Sequence, residues 1–546
     1  MADQLTSATV ICQGGLDSTE NHLFLDTNLP GGASRLINYE VGLYGGYRRI
    51  NGYQPFDVDF PTVDDTNAEG KILGLAIYTG IDGTESIFAA RKQKSGNTYK
   101  FYKYALGVGW TAVVTGITHN TVSAHRSVTK IRHHKVSIEG VSYIIFVDGV
   151  NSAVVYDGAN WYRLQVSGTG TAMSPGGDQL LDAPQYVTSF ENHIFLSGDY
   201  QYPDIVCHSA PLDPLNFTVA SGGGQLNAAY QVDGIRPFRE DLYIFGNQRI
   251  RKITVDGTDF VIKDVAQDIG VIAPDSIIEM NGDILFLAQD GVRTISGTNK
   301  IGDINLASLS KQVQQLINTL QDNYDLNLLN STVIKKKSQF RYFISGDSTT
   351  ALGVGMIGGL RTTNGQTGWE FGELSGIRTS VVENDYINDM ETTIHGDYDG
   401  AVYVQETGRT FNGTPIISVY STPYLTFGDV LSQKTSRKIH TFFRPEGTLS
   451  MSVQVSYNWN SPYKNNPMTY PSDSLNSIIF YDDPGAIYDS PGVVYDNGDI
   501  YPVITNSFEG AFNSMKITYT TAGDYEPHTI QGFIVEFNPE GTRTLI

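Results

Sequence analysis

From about residue 70 the apolar positions come in short runs, each closed by a turn and answered by a second run. Ile72-Leu73-Gly74-Leu75-Ala76-Ile77-Tyr78 is followed by Ile87-Phe88-Ala89-Ala90. The run 143–147 turns at Asp148-Gly149 into 153–158, 241–245 turns at Gly246-Asn247 into 250–254, and 283–287 turns at Asp290-Gly291 into 292–295. The runs 193–196, 341–344 and 400–404 extend the series. Runs of this length bounded by Asp-Gly or Gly-Asn are strand and hairpin signals. Phe146, Phe195, Phe245, Phe286 and Phe343 stand 49, 50, 41 and 57 residues apart. A period of roughly 40–50 residues with glycine turns is what four-stranded propeller blades require. A blade buries its faces only against neighbours, so the pattern predicts a closed ring of six or seven blades; an array of β-sandwiches would give a similar rhythm.

One segment breaks the rhythm. Leu309, Val313, Leu316, Ile317 and Leu320 recur at helical spacing and predict a helix near 308–321, with Ser308 as N-cap, packed on a propeller edge. After residue 410, apolar or alternating runs at 416–424, 435–443, 449–457, 515–519 and 530–537 predict a second, sandwich-like β-domain. Between its strands, residues 470–512 hold seven acidic residues and no Lys or Arg. Tyr481-Asp482-Asp483-Pro484-Gly485, Tyr488-Asp489-Ser490-Pro491-Gly492 and Tyr495-Asp496-Asn497-Gly498 repeat there every seven residues, and the Pro-Gly and Asn-Gly pairs make this a chain of turns. Residues 1–65 show little periodicity and read as an extended arm with short strands. The expectation is an all-β chain: arm 1–65, propeller 66–410, and a sandwich-like platform 411–546 carrying the acidic insertion.

Composition narrows the function. Charged residues are only 17%, whereas Gly (57) and Tyr (32) are abundant, which suits strands and tight turns rather than helical bundles or disorder. The net charge of −21 argues against a protein that grips nucleic acid through clustered Lys and Arg. Cys12 and Cys207 give neither a disulfide framework nor metal-site spacing. The N-terminus lacks the basic and apolar regions of a signal peptide, and no apolar run approaches membrane-spanning length, so folding in a cytoplasm is expected.

Candidate chemistry is thin. Gln13-Gly14-Gly15-Leu16-Asp17-Ser18 looks like the Ser-Gly-Gly-x-Asp-Ser pyrophosphate loop, but Gln replaces the leading Ser and Pro30-Gly31-Gly32 arrives before an amphipathic helix can follow. His125, His133 and His134 lie among Arg126, Lys130, Arg132 and Lys135, a set that repels a metal cation and reads as a basic contact surface on a strand. Lys335-Lys336-Lys337 and Arg249-Ile250-Arg251-Lys252 read as exposed edges or subunit contacts. No serine-hydrolase elbow, nucleotide P-loop or sialidase box occurs, and a pair of hydrolytic carboxylates cannot be read from sequence. No catalytic residue, cofactor or metal site is expected, and no enzymatic activity.

The arm carries Gly14-Gly15-Leu16-Asp17, Asn38-Tyr39-Glu40, and Gly45-Gly46-Tyr47-Arg48-Arg49-Ile50-Asn51-Gly52-Tyr53. This run resembles the N-terminus of podovirus tail nozzle proteins, the family of tail tubular B and packaged-DNA stabilisation proteins. Tyr420 to Asp429, Lys434 to Lys438 and Ile530 to Phe537 resemble the family's late β-domain. The resemblance implies a six-fold ring below the portal and adaptor, built from a propeller and a platform. It implies a virion tail protein that closes the channel on packaged DNA, conducts the DNA at ejection without reading its sequence, and meets a tail adaptor and tail fibres or spikes. Adjacent arginines on a strand point to opposite faces. Arg48 and Arg49 are therefore expected to make one contact within the subunit and one with a neighbour or adaptor. Asp482, Asp483, Asp489, Asp496 and Asp499 are expected to line a rim or channel and repel DNA. The alternative is a carbohydrate-binding or receptor-binding propeller among the tail components.

Overall fold

A computed structural model of the chain describes residues 5–42, 45–57, 60, 68–93, 97–113, 119–169, 176–257, 259–296, 308–346, 352–363, 366–447, 449–459, 468–470 and 503–541. Seven antiparallel sheets follow one another along it. Blade 1 opens with Ala68–Thr79, blade 2 with Arg132–Ile138, blade 3 with Tyr186–Phe190, blade 4 with Gly234–Phe238, blade 5 with Ile278–Met280, blade 6 with Asn330–Ile334 and blade 7 with Val381–Ile387. In each, the opening strand pairs with the next strand in sequence. Phe146, Phe195, Phe245, Phe286 and Phe343 all lie on the second strands of their blades and are buried. Blade 1 places Phe88 on its second strand in the same way.

Both faces of a blade are apolar because successive side chains point to opposite faces of a strand. In blade 1, Leu73, Ala76 and Tyr78 pack with Ile144 and Phe146 of blade 2. Ile72, Leu75 and Ile77 pack the other way, with Val381, Ile394 and Val402 of blade 7. Blades 2 and 3, 3 and 4, 4 and 5, and 6 and 7 share separate apolar clusters in turn. Blades 5 and 6 meet in the largest cluster. Every blade thus buries both faces, and the protein contains a closed seven-bladed propeller.

The arm closes the ring. Blade 7 has three strands of its own, and Tyr53–Pro55 pairs with Val402–Gln405 as its fourth. The rest of the arm belongs to the platform, a two-sheet sandwich. In one sheet His528–Gly541 pairs with Thr6–Ile11, Tyr47–Arg49 and Gln433–Pro445. In the other, Thr414–Ser421, Met515–Gly523 and Met451–Tyr457 lie side by side. Arg35–Ile37 pairs with Thr414–Ser421 and touches blade 6 at Glu373, so this sheet runs on into the propeller. The core between the sheets, including Tyr39, Tyr420, Ile439, Tyr519 and Phe533, is continuous with that of blades 5 and 6.

Two α-helices occur among the described residues, where the sequence predicts one. Gln314–Asn323 buries Ile317 and Leu320, but it starts after a 3-10 turn at Lys311–Val313, and Ser308 is not its cap. Instead the Ser308 hydroxyl donates to the Asp290 carbonyl. His22–Asn28 is a short helix capped by Asn21, whose side chain accepts from the Phe24 amide. It fits between the glycine loop and Pro30, which the sequence reading leaves without a helix.

Phe286→Ala is expected to cost about 3–5 kcal/mol, because it opens a cavity between blades 4 and 5 that neighbours cannot refill. Val255→Ala, at a residue 45% exposed, is expected to cost less than about 0.5 kcal/mol. Urea unfolding of the two variants checks the contrast.

Candidate functional site

The opening strands of all seven blades line one cavity of about 580 Å³ along the propeller axis. Blade 2 supplies most of its charge. Lys130 and Arg132 reach across to Asp275, just before the opening strand of blade 5. Lys130 Nζ lies 2.8 Å from Asp275 Oδ2 and donates to the Leu329 carbonyl at 2.7 Å. Arg132 donates twice to the same carboxylate, at 2.8 and 2.7 Å, and lies 4.9 Å over the Tyr186 ring of blade 3. His133 lies 3.3 Å from Glu383 of blade 7, and Lys135 pairs with Glu383 and Asp385. Charge-assisted bonds therefore cross the channel from blade 2 to blades 5 and 7, and the passage is spanned by side chains.

Burial sets the protonation of this cluster. Enclosure drives Lys130 down to about 8 despite the Asp275 charge. Burial works against the Asp275 carboxylate, but the Arg132 and Lys130 charges prevail and hold it well below the usual range. His134 is driven down to about 3, first by burial and then by Arg236. It is neutral, and its Nε2 lies 3.1 Å from the Ser189 amide that donates to it. The sequence places this strand on a contact surface. The structure corrects that: Lys130 is buried, and the strand faces the channel.

The other basic runs are occupied in part: Lys335, Lys336 and Arg249 are exposed, as expected of an edge. Lys337 pairs with Glu40 and Glu406 at the junction of platform and propeller, and Arg251 and Lys252 pair with Asp264 and Asp241. At that junction Glu40, only 2% exposed along its side chain, also meets Arg341 at 3.0 Å and Arg48 at 2.8 Å. Arg48 further reaches Glu446 at 2.6 Å. Arg49 is fully buried and donates to the carbonyls of Tyr525, Glu526 and Arg409. Both arginines are engaged within the chain, Arg49 wholly so. Asp482, Asp483, Asp489, Asp496 and Asp499 lie outside the described residues.

The glycine loop has no amides to offer a phosphate. The Gly14, Gly15, Leu16 and Ser18 amides donate to Glu370, the Tyr47 hydroxyl, the Phe371 carbonyl and the Gln312 carbonyl. Gly15 has φ +69°, and a Cβ there would come within 2.7 Å of the Phe371 nitrogen. The motif is a weld between arm, blade 6 and the helix segment. Cys12 and Cys207 are buried free thiols. No group of residues suited to a metal ion occurs among the described residues.

No family model matches the chain, and no curated protein matches it. Solved structures resemble it in fold. An exo-β-1,3-galactanase from Phanerochaete chrysosporium is 10% identical, covering 89% of this chain and 100% of its own, with a TM-score of 0.25. An ancestral GH74 enzyme is 10% identical, covering 68% of this chain and 50% of its own, with a TM-score of 0.39. YCF48 from Cyanidioschyzon merolae is 10% identical, covering 62% of this chain and 96% of its own, with a TM-score of 0.34. Likeness at this level bears on the fold alone. The expectation of no enzymatic activity does not stand beside them, since two of these structures are named as enzymes, an exo-β-1,3-galactanase and a GH74 enzyme.

Asp275→Asn strands two buried cations and is expected to cost about 3–5 kcal/mol in urea unfolding near neutral pH. In the native protein the Asp275 contribution is fully present above the ordinary carboxylate range and is lost as pH falls through that range toward its depressed value. A second acid effect precedes it. His134, His395 and His528 sit at about 3 in the fold, chiefly through burial, against 6.5 when unfolded. The unfolded chain therefore takes up protons that the fold refuses, and stability drops as pH falls from about 6.5, by up to about 1.4 kcal/mol per pH unit for each histidine. His528→Gln is expected to flatten that slope in urea midpoints measured between neutral and mildly acid pH.

Proposed function

We propose that this chain is a subunit of the tail nozzle of a short-tailed bacteriophage, retaining packaged DNA and conducting it at ejection. One observation carries the reading. The segments that resemble the nozzle family lie at opposite ends of the chain, yet Tyr47–Arg49 pairs with His528–Gly541 in one sheet. Together they form a platform joined to a propeller through a shared core, the pairing of domains that the resemblance implies. The resembling residues also make the weld: Tyr47 accepts from the Gly15 amide and donates to the Gly31 carbonyl, and Glu40 gathers Arg48, Lys337 and Arg341.

On this reading the DNA path is not the bore of the propeller, which the Asp275 and Glu383 pairs cross. It is the axis of a ring of six copies, seated on a tail adaptor in the virion, and an acidic chain of net charge −21 presents a wall that lets DNA slide. A second reading, a propeller among the tail components that binds or cleaves carbohydrate, draws on the polar cavity at the blade centre. Quantitative mass spectrometry and immunogold labelling of purified phage particles separate them. The nozzle reading expects six copies per particle, labelled at the end of the tail. Absence from particles, or labelling confined to fibres, contradicts it.

A further inference from the structure

We propose that the propeller cavity is a binding site for a small oxyanion, a phosphate or a carboxylate, anchored by Arg236. Five cationic and three acidic side chains line the cavity, an excess of positive charge inside a chain of net charge −21. The acids are unequally free. Asp275 is taken up by Lys130 and Arg132, and Glu383 by His133 and Lys135. Glu279 has no ion pair among the described residues.

Two of the five cations have no carboxylate partner among the described residues: Lys335, whose ammonium lies 5.7 Å from the Tyr386 ring centre, and Arg236. Arg236 lies mid-strand in Gly234–Phe238 of blade 4 and lines the cavity, and it makes no hydrogen bond or ion pair with any described residue. Its side chain is exposed to the cavity solvent, and desolvation lowers its pKa against the Glu279 and Glu383 charges that raise it. Two further donors in the same lining lack partners. Asp275 holds Nε and Nη2 of Arg132, leaving Nη1 buried and unbonded. The Thr332 hydroxyl, on a residue only 4% exposed, is likewise unbonded.

The arrangement favours an anion over a neutral ligand. Arg132 reaches from blade 2 past the Tyr186 ring of blade 3 to Asp275 at blade 5, and blade 4 with Arg236 lies in the arc it spans. Its guanidinium is held by a two-point bond and an aromatic face, which fixes its positive charge in the cavity wall without further loss of side-chain freedom. An oxyanion with several acceptor oxygens bonds Arg236, the exposed donor of the three, in a cavity whose lining also holds Arg132 and Thr332. Glu279 is the only lining carboxylate left to compete, and its charge opposes the ligand. This site is independent of the nozzle reading, since it uses residues of one propeller only.

The test follows thermal unfolding of the full chain against inorganic phosphate and, separately, glucuronate, with ionic strength held constant by chloride. Either probe is expected to raise the melting temperature with concentration. A response to phosphate alone, to glucuronate alone or to both supports the site and identifies the source of the oxyanion. Arg236→Gln is expected to weaken binding at least about tenfold, and Glu279→Gln to strengthen it. Arg239→Gln, at an exposed arginine next to the same strand, is expected to leave it unchanged. No rise beyond the chloride control, or an equal rise in Arg236→Gln, overturns the proposal. If Arg236→Gln does not fold, an unchanged affinity in Glu279→Gln overturns it equally.

Discussion

A sheet that is apolar on both faces cannot stand alone in water, and the architecture of this chain follows from that constraint. Each blade needs a neighbour on each side, so the series has to close on itself. Seven apolar clusters mark the seven blade boundaries, and the last of them, between blades 7 and 1, is as well buried as the rest. Closure comes from Tyr53–Pro55, a strand contributed from far upstream that completes blade 7. That strand belongs to the arm, and the arm belongs to the platform, so one stretch of chain both closes the ring and builds the platform.

The polar interior follows the same logic at two places. At the platform junction, Glu40 and Glu406 face Arg48, Arg341 and Lys337 with little access to water. Buried charges are tolerated only when paired, and the matched set fixes how the arm docks on blades 6 and 7. In the channel, Asp275 and Glu383 answer the basic strand of blade 2. There the matching is incomplete, and Arg236 and Lys335 have no carboxylate partner among the described residues. The same accounting of charge and partner explains the rigid junction and singles out the channel as the part of the propeller with chemistry to spare.

Much of this was legible in the sequence. The phenylalanine period read the second strands correctly, since Phe146, Phe195, Phe245, Phe286 and Phe343 occupy equivalent places. The sequence leaves the blade number at six or seven because blade 7 borrows its fourth strand, which no local pattern reveals. The turns explain why the repeat lacks a crisp motif. Blades 2, 3, 5 and 7 join their first two strands through left-handed pairs, Glu139-Gly140, Glu191-Asn192, Asn281-Gly282 and Asn388-Asp389. The backbone shape recurs while its residues do not. The apolar spacing marks the helix but not its cap, because a 3-10 turn precedes the first helical residue. The basic residues 130–135 read as a surface in the sequence because their partners, Asp275, Glu383 and Asp385, lie far along the chain, and only closing the ring brings them together.

The account's central claim is that arm, platform and ring form one cooperative body. Native-state hydrogen exchange tests it most directly, followed strand by strand. The amides of Tyr39–Val41, Tyr47–Arg49 and Tyr53–Pro55 are predicted to exchange only in the same slow opening that exposes the second strands of blades 1 and 7. Fast exchange of those arm strands while the propeller stays protected would contradict it.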